Sequence, residues 1–249
     1  MSIETKSIAS SDEQNRRSEF VKKYLANPIP TNEQLTNLGI FVKRQELTKT
    51  LFFSDLYRKF LPVQGVIMEF GVRWGQNLVT LSNLRGMLEP YNYSRKIIGF
   101  DTFSGFPSVH EKDGTHSIIK EGAFSVTEGY ENYLSSVLDY HEKESPLNHI
   151  RKHELVKGDA SVELAAYLKR HPETIVAFAY FDFDIYEPTK KCLELLKPHF
   201  TKGSVIGFDE LLDPQFPGET VALRETLGLN NVAVQRMSYG GIQSYTVVE

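Results

Sequence analysis

The sequence predicts an α/β fold with a doubly wound, mostly parallel seven-stranded sheet. From residue 63 onward, short apolar runs of strand length alternate with amphipathic stretches of helix length, a pattern typical of parallel sheets with helices on both faces. The apolar runs are nearly continuous, as expected for strands that are buried on both sides. Glycine, proline or acidic residues bound them and mark where each connection begins.

Seven strands and four intervening helices account for most of this region. The strands are predicted at residues 66–70, 96–101, 153–157, 175–181, 204–209, 232–237 and 244–248. The helices are predicted at residues 77–89, 161–170, 188–200 and 219–227. A short turn at 238–243 containing Gly240 and Gly241 joins the last two strands, so we expect an antiparallel edge hairpin.

The remaining segments suggest a domain organisation. Residues 1–17 are polar and predict a flexible N-terminus, and residues 18–62 predict a helical extension interrupted by Pro28 and Pro30. Residues 63–249 form the predicted α/β domain. Within it, residues 103–150 make an excursion longer than such connections usually are. At the carboxyl edge of the sheet, we expect this excursion to be either a substrate lid or a plain surface loop.

Composition excludes several classes of protein. The 249 residues are 41% hydrophobic, enough for a sizeable core, and the formal charge of −4 comes without a basic stripe. We therefore expect no nucleic-acid partner, since such binders cluster Lys and Arg. The one cysteine, Cys192, excludes an internal disulfide and a thiolate metal site. Without a long apolar run or an apolar leader, we expect a cytoplasmic protein with no membrane partner.

A glycine turn after the first strand is the first candidate ligand site. Glu69 lies in the strand, Gly71 and Gly75 follow four residues apart, and a predicted helix begins at Asn77. Glycines let the backbone approach a ligand closely, and the helix N-terminus offers unpaired N–H groups. Arg73 stands where the motif G-x-G-x-x-G would have its second glycine, which favours a nucleoside such as S-adenosylmethionine over a dinucleotide. A plain strand–turn–helix junction is the alternative.

Two further strand ends carry acidic residues. Asp101 ends the second strand, where it is placed either to accept hydrogen bonds from ribose hydroxyls or to cap the following turn. Asp159 follows the third strand, where it is placed either to reach an adenine amino group or to be the N-cap of the helix that begins at Ser161. The sequence leaves both pairs of alternatives open.

The fourth and fifth strands also end in carboxylates. Asp182 and Asp184 would lie on one side if the fourth strand persists there, and Asp209 and Glu210 end the next strand. Converging carboxylates repel one another unless a cation neutralises them. Oxygen ligands favour Mg²⁺, Mn²⁺ or Ca²⁺ over zinc, and such an ion would activate a substrate hydroxyl. Helix capping by these acids is the alternative.

Three motifs together resemble the macrocin O-methyltransferase (TylF-type) family. They are Glu69-Phe70-Gly71-Val72-x-x-Gly75, Gly99-Phe100-Asp101-Thr102-Phe103-x-Gly105-Phe106-Pro107 and Asp182-x-Asp184-x-Tyr186-Glu187-Pro188-Thr189. The resemblance implies a Rossmann-like class I methyltransferase fold over about residues 45–249, with S-adenosylmethionine, a divalent metal and a sugar hydroxyl as acceptor. Segments 99–107 and 208–219 are most similar to dTDP-6-deoxy-L-hexose 3-O-methyltransferases, which implies a small-molecule sugar or nucleotide-sugar substrate in natural-product or polysaccharide biosynthesis.

The family resemblance, together with the location of residues at strand ends and turns, implies a role for individual residues. The expected cofactor-binding residues are Glu69, Gly71, Val72, Gly75, Asn77, Asp101, Thr102, Phe103, Gly158, Asp159, Ala160 and Asp182. The expected metal ligands are Asp182, Asp209 and Glu210. Asp184 is the expected general base, with Asp182 as the second catalytic residue. The expected substrate contacts are Tyr186, His116 and Phe216.

Other functions compete with this one. A catechol-type metal-dependent O-methyltransferase would use the same geometry on a phenol. An NAD-dependent oxidoreductase is disfavoured because G-x-G-x-x-G and a suitably placed Tyr-x-x-x-Lys pair are missing, and a non-catalytic binding module is disfavoured by the intact carboxylates. The helices predicted at residues 18–60 are available to pack against a second subunit, so we expect a homo-oligomer.

Overall fold

The computed structural model describes residues 10–239 and 241–249, and the chain divides into two compact units with a boundary after Thr48. The N-terminal helices are α1 (Ser11–Leu25), α2 (Thr31–Gln34), a short 3₁₀ helix (Leu38–Phe41) and α3 (Arg44–Phe60), which runs across the boundary.

Helix α1 begins inside the segment that was expected to be flexible. The hydroxyl of Ser10 accepts the N–H of Glu13 at 3.3 Å, and Asp12 and Glu13 lie in the first turn, where acidic residues are favoured. Residues 11–17 of that segment are therefore helical. Residues 1–9 lie outside the described residues.

The larger unit is built on a mixed sheet. The described residues form six strands: β1 (Val66–Phe70), β2 (Ile97–Asp101), β3 (His153–Lys157), β4 (Val176–Phe181), β5 (Phe200–Phe208) and β6 (Ser244–Val247). Their order is β3-β2-β1-β4-β5-β6, and all neighbours are parallel except β5 and β6. From β1 the strand order runs outward through β2 to β3 on one side, and from β4 through β5 to β6 on the other. The order therefore reverses between β1 and β4, and ligands bind outside the carboxyl ends of strands at such a switch point.

The predicted seventh strand, at residues 232–237, does not form. Gln235 and Tyr245 of β6 exchange two backbone hydrogen bonds of 2.8 Å, which make a single antiparallel bridge. Most of this segment is exposed, so it lacks the cross-strand packing that stabilises a longer ladder. The predicted edge hairpin is thus reduced to one bridge, and Gly240 of its predicted turn lies outside the described residues.

Four helices of the sheet unit lie close to their predicted positions, and a further one lies within the excursion at residues 103–150. They are α4 (Gln76–Leu88), α5 (Tyr130–Lys143), α6 (Ala160–Arg170), α7 (Tyr186–Leu196) and α8 (Gly218–Thr226). Helix α7 begins before Pro188, which the first turn accepts because no N–H is needed there. A 3₁₀ helix (Lys197–His199) follows α7. No helix in the described part of the chain is long and apolar enough to cross a membrane.

Two apolar layers cover the sheet. On one face, Phe60 of α3 stacks on Phe178 with ring centroids 4.9 Å apart. On the other, Phe70 lies between Phe100 and Phe181, at 5.1 and 4.9 Å, beneath α6 and α7. Burial on both faces is what the continuous apolar runs predict.

Candidate active site

The turn after β1 brings the ends of β1 and β4 into contact. Gly71 has a φ of 92°, and a Cβ atom there would lie 2.0 Å from the carbonyl oxygen of Asp182. The N–H of Asp182 donates to the carbonyl of Phe70 at 2.8 Å. Gly75, with a φ of 79°, immediately precedes α4. Only glycine permits both this close approach and this backbone conformation.

Glu69 is a buried acid beside this turn. Its Oε1 accepts a hydrogen bond from Nδ2 of Asn77 at 2.8 Å, whereas its buried Oε2 has no hydrogen-bond partner among the described residues. Burial raises the pKa of Glu69 well above its usual range, and the bond from Asn77 opposes that shift. Because a buried polar atom without a partner is costly, Oε2 marks a position for a ligand N–H or O–H group.

Asp101, at the end of β2, accepts hydrogen bonds from the turn after β1 and from the turn after β2. One carboxylate oxygen accepts the N–H of Arg73 at 2.7 Å and the other accepts the N–H of Phe103 at 2.6 Å. Arg73 and Phe103 have φ values of 49° and 56°, which are uncommon for large side chains. The turn-capping alternative is therefore observed. Each carboxylate oxygen has further acceptor capacity for a ribose hydroxyl.

Asp159 lies at the neighbouring strand end. Its Oδ1 accepts the N–H and the hydroxyl of Ser161 at 2.9 and 2.7 Å, which makes it the N-cap of α6. The N–H of Gly158 donates to the carbonyl of Asp101 at 2.9 Å. The ends of β2 and β3 therefore meet, and Asp101 and Asp159 lie at adjoining positions on the same edge of the sheet.

The other predicted cofactor residues contribute mainly to packing and turns. Val72 and Phe103 are buried in the layer that contains α3, and Ala160 is buried in the opposite layer. The hydroxyl of Thr102 donates to the carbonyl of Gly105 at 2.6 Å and so closes the turn after β2.

Asp182 and Asp209, at the ends of β4 and β5, share one cation. Nζ of Lys49 lies 3.2 Å from Oδ2 of Asp182 and 3.0 Å from Oδ1 of Asp209. The same Oδ1 accepts hydrogen bonds from Tyr180 at 2.6 Å and Gln243 at 3.0 Å. The predicted convergence of acidic strand ends is thus observed, together with a positive charge that the sequence analysis did not include.

The charges of this group shift the pKa values of its members. Burial and the negative charge of Asp209 raise the pKa of Asp182. Burial alone would also raise the pKa of Asp209, but Lys49 and the hydrogen bonds from Tyr180 and Gln243 outweigh it and lower that pKa. Burial opposes the charge on Lys49, yet the two aspartates raise the pKa of Lys49 above its ordinary value.

Asp184 lies beyond the end of β4, in a left-handed turn. The strand ends at Phe181, and Asp184 has a φ of 63°, so the expectation that strand alternation aligns Asp182 and Asp184 is corrected. Burial and the charge of Glu210, followed by that of Asp182, raise the pKa of Asp184 well above its usual range. Aspartate is one of the residue types that adopt this conformation most readily.

The predicted metal ligands do not form a metal centre as they are arranged. Within residues 10–239 and 241–249, no group of three or more His, Cys, Asp or Glu side chains is placed to hold an ion. The ammonium of Lys49 lies between Asp182 and Asp209, in the position that a cation shared by the two would take. The residues present therefore do not fit a divalent ion.

The signal for Lys49 was in the sequence. Lys49 lies on α3 with buried aromatic and aliphatic residues three, four and seven positions further on, at Phe52, Phe53 and Leu56. These spacings place all four residues on one face of a helix. A lysine aligned with a buried apolar stripe indicates a partner of opposite charge.

The excursion at residues 103–150 is fastened to α7 and α8. The buried carboxylate of Asp113 accepts the N–H of His110 at 2.6 Å and the N–H of Tyr186 at 2.5 Å. A Cβ atom at Gly218, the first residue of α8, would lie 2.7 Å from Oδ1 of Asp113. These contacts make this part of the excursion a wall of the α/β unit.

The three predicted substrate contacts have different surroundings. The rings of His116 and Phe216 are neighbours, with centroids 6.3 Å apart. The hydroxyl of Tyr186, in contrast, donates to Glu225 at 2.6 Å and accepts from Lys112 and Lys190, both at 3.1 Å. The hydroxyl of Tyr186 is therefore already hydrogen-bonded to the charged side chains of Glu225, Lys112 and Lys190.

Comparison with solved structures identifies close relatives. No protein-family model matches the chain, and no curated protein sequence matches it. The crystal structure of CalS11, a calicheamicin methyltransferase, is 41% identical with a TM-score of 0.93, and the match covers 99% of this chain and 98% of that one. An apo structure of CalS11, described as a TDP-rhamnose 3'-O-methyltransferase of calicheamicin biosynthesis, is 40% identical with a TM-score of 0.85 and coverage of 97% and 96%.

A more distant structure supports the fold alone. The O-methyltransferase NovP is 16% identical, with a TM-score of 0.60 over 81% of this chain and 80% of NovP. The near-complete match to CalS11 confirms the resemblance to the macrocin O-methyltransferase (TylF-type) family and the α/β methyltransferase fold. The chain belongs to the same family as CalS11 and is an S-adenosylmethionine-dependent O-methyltransferase.

Proposed function

We propose that the chain methylates a sugar hydroxyl, namely the 3-hydroxyl of a nucleotide-linked 6-deoxyhexose, in natural-product or polysaccharide biosynthesis. One observation carries the proposal: CalS11, a TDP-rhamnose 3'-O-methyltransferase, is 40% identical over 97% of this chain. The match spans nearly the whole chain, so it covers the region that contains the acidic strand ends.

The methyl donor is proposed to bind along the carboxyl ends of β1, β2 and β3. S-adenosylmethionine supplies an electrophilic methyl group on a positively charged sulfur. The unpartnered Oε2 of Glu69 suits its ammonium group, and Asp101 and Asp159 suit the ribose and adenine donors at the adjoining strand ends. Gly71 lets the turn after β1 pack directly against the carbonyl of Asp182, where the Cβ atom of any other residue would clash.

Asp184 is proposed as the general base. A sugar hydroxyl is a weak nucleophile near neutral pH, so removal of its proton assists the displacement. The raised pKa of Asp184 makes its carboxylate a stronger base than an exposed aspartate. The acceptor oxygen must also lie in line with the sulfur–methyl bond.

The acceptor is proposed to pack against the neighbouring rings of His116 and Phe216. The ring of Phe124 continues this aromatic surface, with its centroid 6.4 Å from that of Phe216. Aromatic rings pack well against apolar groups, and a 6-deoxyhexose has a methyl group at carbon 6. Because Lys49 lies between Asp182 and Asp209, the proposed reaction uses no metal ion.

The test is methyl transfer from ¹³C-labelled S-adenosylmethionine to TDP-rhamnose, with the labelled position read by NMR. Free rhamnose, TDP-glucose and a catechol are the comparison acceptors. A new methyl ether at the 3-position of TDP-rhamnose supports the proposal, whereas turnover of the catechol alone overturns the sugar assignment. Calorimetric titration with S-adenosylhomocysteine, with NAD as the control, tests the donor site separately.

A further inference from the structure

We propose that Lys49 is the resident cation of this active site. Its ammonium neutralises Asp182 and Asp209 in the place where the family resemblance implies a divalent ion, so methyl transfer by this chain needs no added metal. The inference rests on the proposed function, since it concerns the same site. Lys49 acts through the two aspartates and is therefore a positioning residue.

The geometry of the three charges carries the proposal. One ammonium contacts both carboxylates, at 3.2 and 3.0 Å, and the exposed fractions of Lys49, Asp182 and Asp209 are 24%, 23% and 13%. Charges this far removed from solvent are screened less than those of a surface pair. Without the ammonium, two partly buried carboxylates would face each other uncompensated, which is strongly unfavourable.

The packing of α3 delivers the lysine to this position. Phe53 contacts Tyr180 with ring centroids 4.7 Å apart, and Phe60 stacks on Phe178. Tyr180 is also the hydroxyl donor to Asp209, and Nζ of Lys49 lies 5.9 Å from its ring centroid. Helix α3, which carries Lys49, is thus packed against β4. Asp182, one of the two aspartates that Lys49 contacts, directly follows β4.

An ammonium and a divalent ion compete for the space between the two aspartates. A metal ion would coordinate the carboxylates at about 2.1 Å, and its approach would require Lys49 to move away from them. Asp209 is further committed to hydrogen bonds from Tyr180 and Gln243. A metal-dependent site and a lysine-neutralised site therefore predict opposite responses to chelation.

The first experiment uses the wild-type enzyme. The protein is treated with EDTA, desalted, and assayed for methyl transfer to TDP-rhamnose with and without Mg²⁺, while Mn²⁺ binding is followed by electron paramagnetic resonance. We expect equal rates with and without Mg²⁺, and no stoichiometric Mn²⁺ binding. Loss of activity on chelation, restored by Mg²⁺, together with stoichiometric Mn²⁺ binding, overturns the proposal.

The second experiment removes the charge. Lys49→Met removes the ammonium but keeps an unbranched side chain of nearly the same length. We expect it to lower kcat in metal-free buffer by about tenfold or more and to create a Mn²⁺ site between Asp182 and Asp209. Adding Asp209→Asn to this variant should abolish the new Mn²⁺ site. Lys59→Met is the matched control, since Lys59 lies on the same helix, exposed, 5.2 Å from the ring of Tyr245.

The outcomes separate this inference from the proposed function. A Lys49→Met variant that keeps wild-type kcat in metal-free buffer overturns the role of Lys49. Failure to bind S-adenosylhomocysteine, or to methylate any sugar with or without Mg²⁺, counts against the proposed function instead. If Lys49→Met does not fold, the wild-type chelation and Mn²⁺ measurements decide the question.

Discussion

The side chain of Glu219, on α8, accepts the backbone N–H of Asp184 at 3.2 Å. The same Oε1 accepts the N–H of Phe183 at 3.0 Å, so one carboxyl group holds both peptide units of the turn that carries the proposed base. Glu219 is fully buried, and burial followed by the charges of Asp182 and Asp209 raises its pKa well above the usual range. Glutamine closely matches the shape of this side chain.

Replacement of Glu219 tests whether it positions the base. We expect Glu219→Ala to lower kcat for methyl transfer and to cost about 1–3 kcal/mol of unfolding free energy, because two part-buried N–H groups lose their acceptor. Glu219→Gln keeps an oxygen acceptor and should retain most of the rate. Steady-state kinetics and urea unfolding of both variants check this. Equal kcat values for the alanine and glutamine variants would contradict the positioning role.

Asp184→Asn tests the base itself. Asparagine fits the same space and tolerates a positive φ, but it cannot accept the proton, so we expect kcat to fall by about 10²–10⁴-fold. Binding of S-adenosylhomocysteine should be unchanged, because Asp184 is not among the residues proposed to hold the donor. Retention of the wild-type rate would rule out Asp184 as the base.

The parallel strands and the acidic edge of the sheet follow from local patterns in the sequence. The apolar runs before Gly71, Asp101 and Asp182 are long enough to identify buried parallel strands, and parallel strands bring their carboxyl ends to one edge. The same logic fails at residues 232–237. Alternation there fits a strand, but the sequence does not reveal that the segment stays exposed and forms only one bridge.

The arrangement of the site depends on contacts between residues far apart in the chain. Lys49 precedes Asp182 by 133 residues, and no local pattern pairs them. Asp184 departs from strand alternation because Glu219, contributed by α8, holds its peptide group. The sequence predicts that Asp182 and Asp209 converge, and the structure brings them together. It does not predict that Lys49 is the cation between them, because that contact is tertiary.

The close approach at Gly71 predicts a large effect of a single methyl group. In Gly71→Ala, the Cβ atom would lie 2.0 Å from the carbonyl of Asp182 on a backbone with a φ of 92°. We expect a loss of about 1–3 kcal/mol or more in unfolding free energy, and weaker binding of S-adenosylhomocysteine.

Gly129→Ala separates the clash at Gly71 from backbone strain. Gly129 has a similar φ of 74°, but a Cβ atom there would have no neighbour within 4 Å. Strain alone should cost about 1–2 kcal/mol and leave cofactor binding intact. Calorimetric titration and thermal unfolding of both variants make the comparison, and equal losses in the two would show that the contact with Asp182 has no role.

A buried ionic network beside β3 predicts how stability depends on pH. Arg85 contacts both oxygens of Glu142 at 3.0 and 3.1 Å, and Nζ of Lys152 lies 2.6 Å from the same carboxylate. The ring of His153 lies 3.1 Å from Asp139 and 3.5 Å from Glu142. Burial, and then the charge of Arg151, nevertheless lower the pKa of His153 below its ordinary value of 6.5.

Acidification should therefore destabilise the fold through His153. Below about pH 6.5 the unfolded chain takes up the proton before the folded protein does, so the free energy of unfolding falls as pH decreases. We expect the wild type to lose about 1 kcal/mol more than His153→Gln between about pH 7.5 and pH 5.5 in urea unfolding. His149→Gln, at an exposed position, should behave like the wild type. An identical loss in His153→Gln and in the wild type would mean that protonation of His153 does not limit stability in this range.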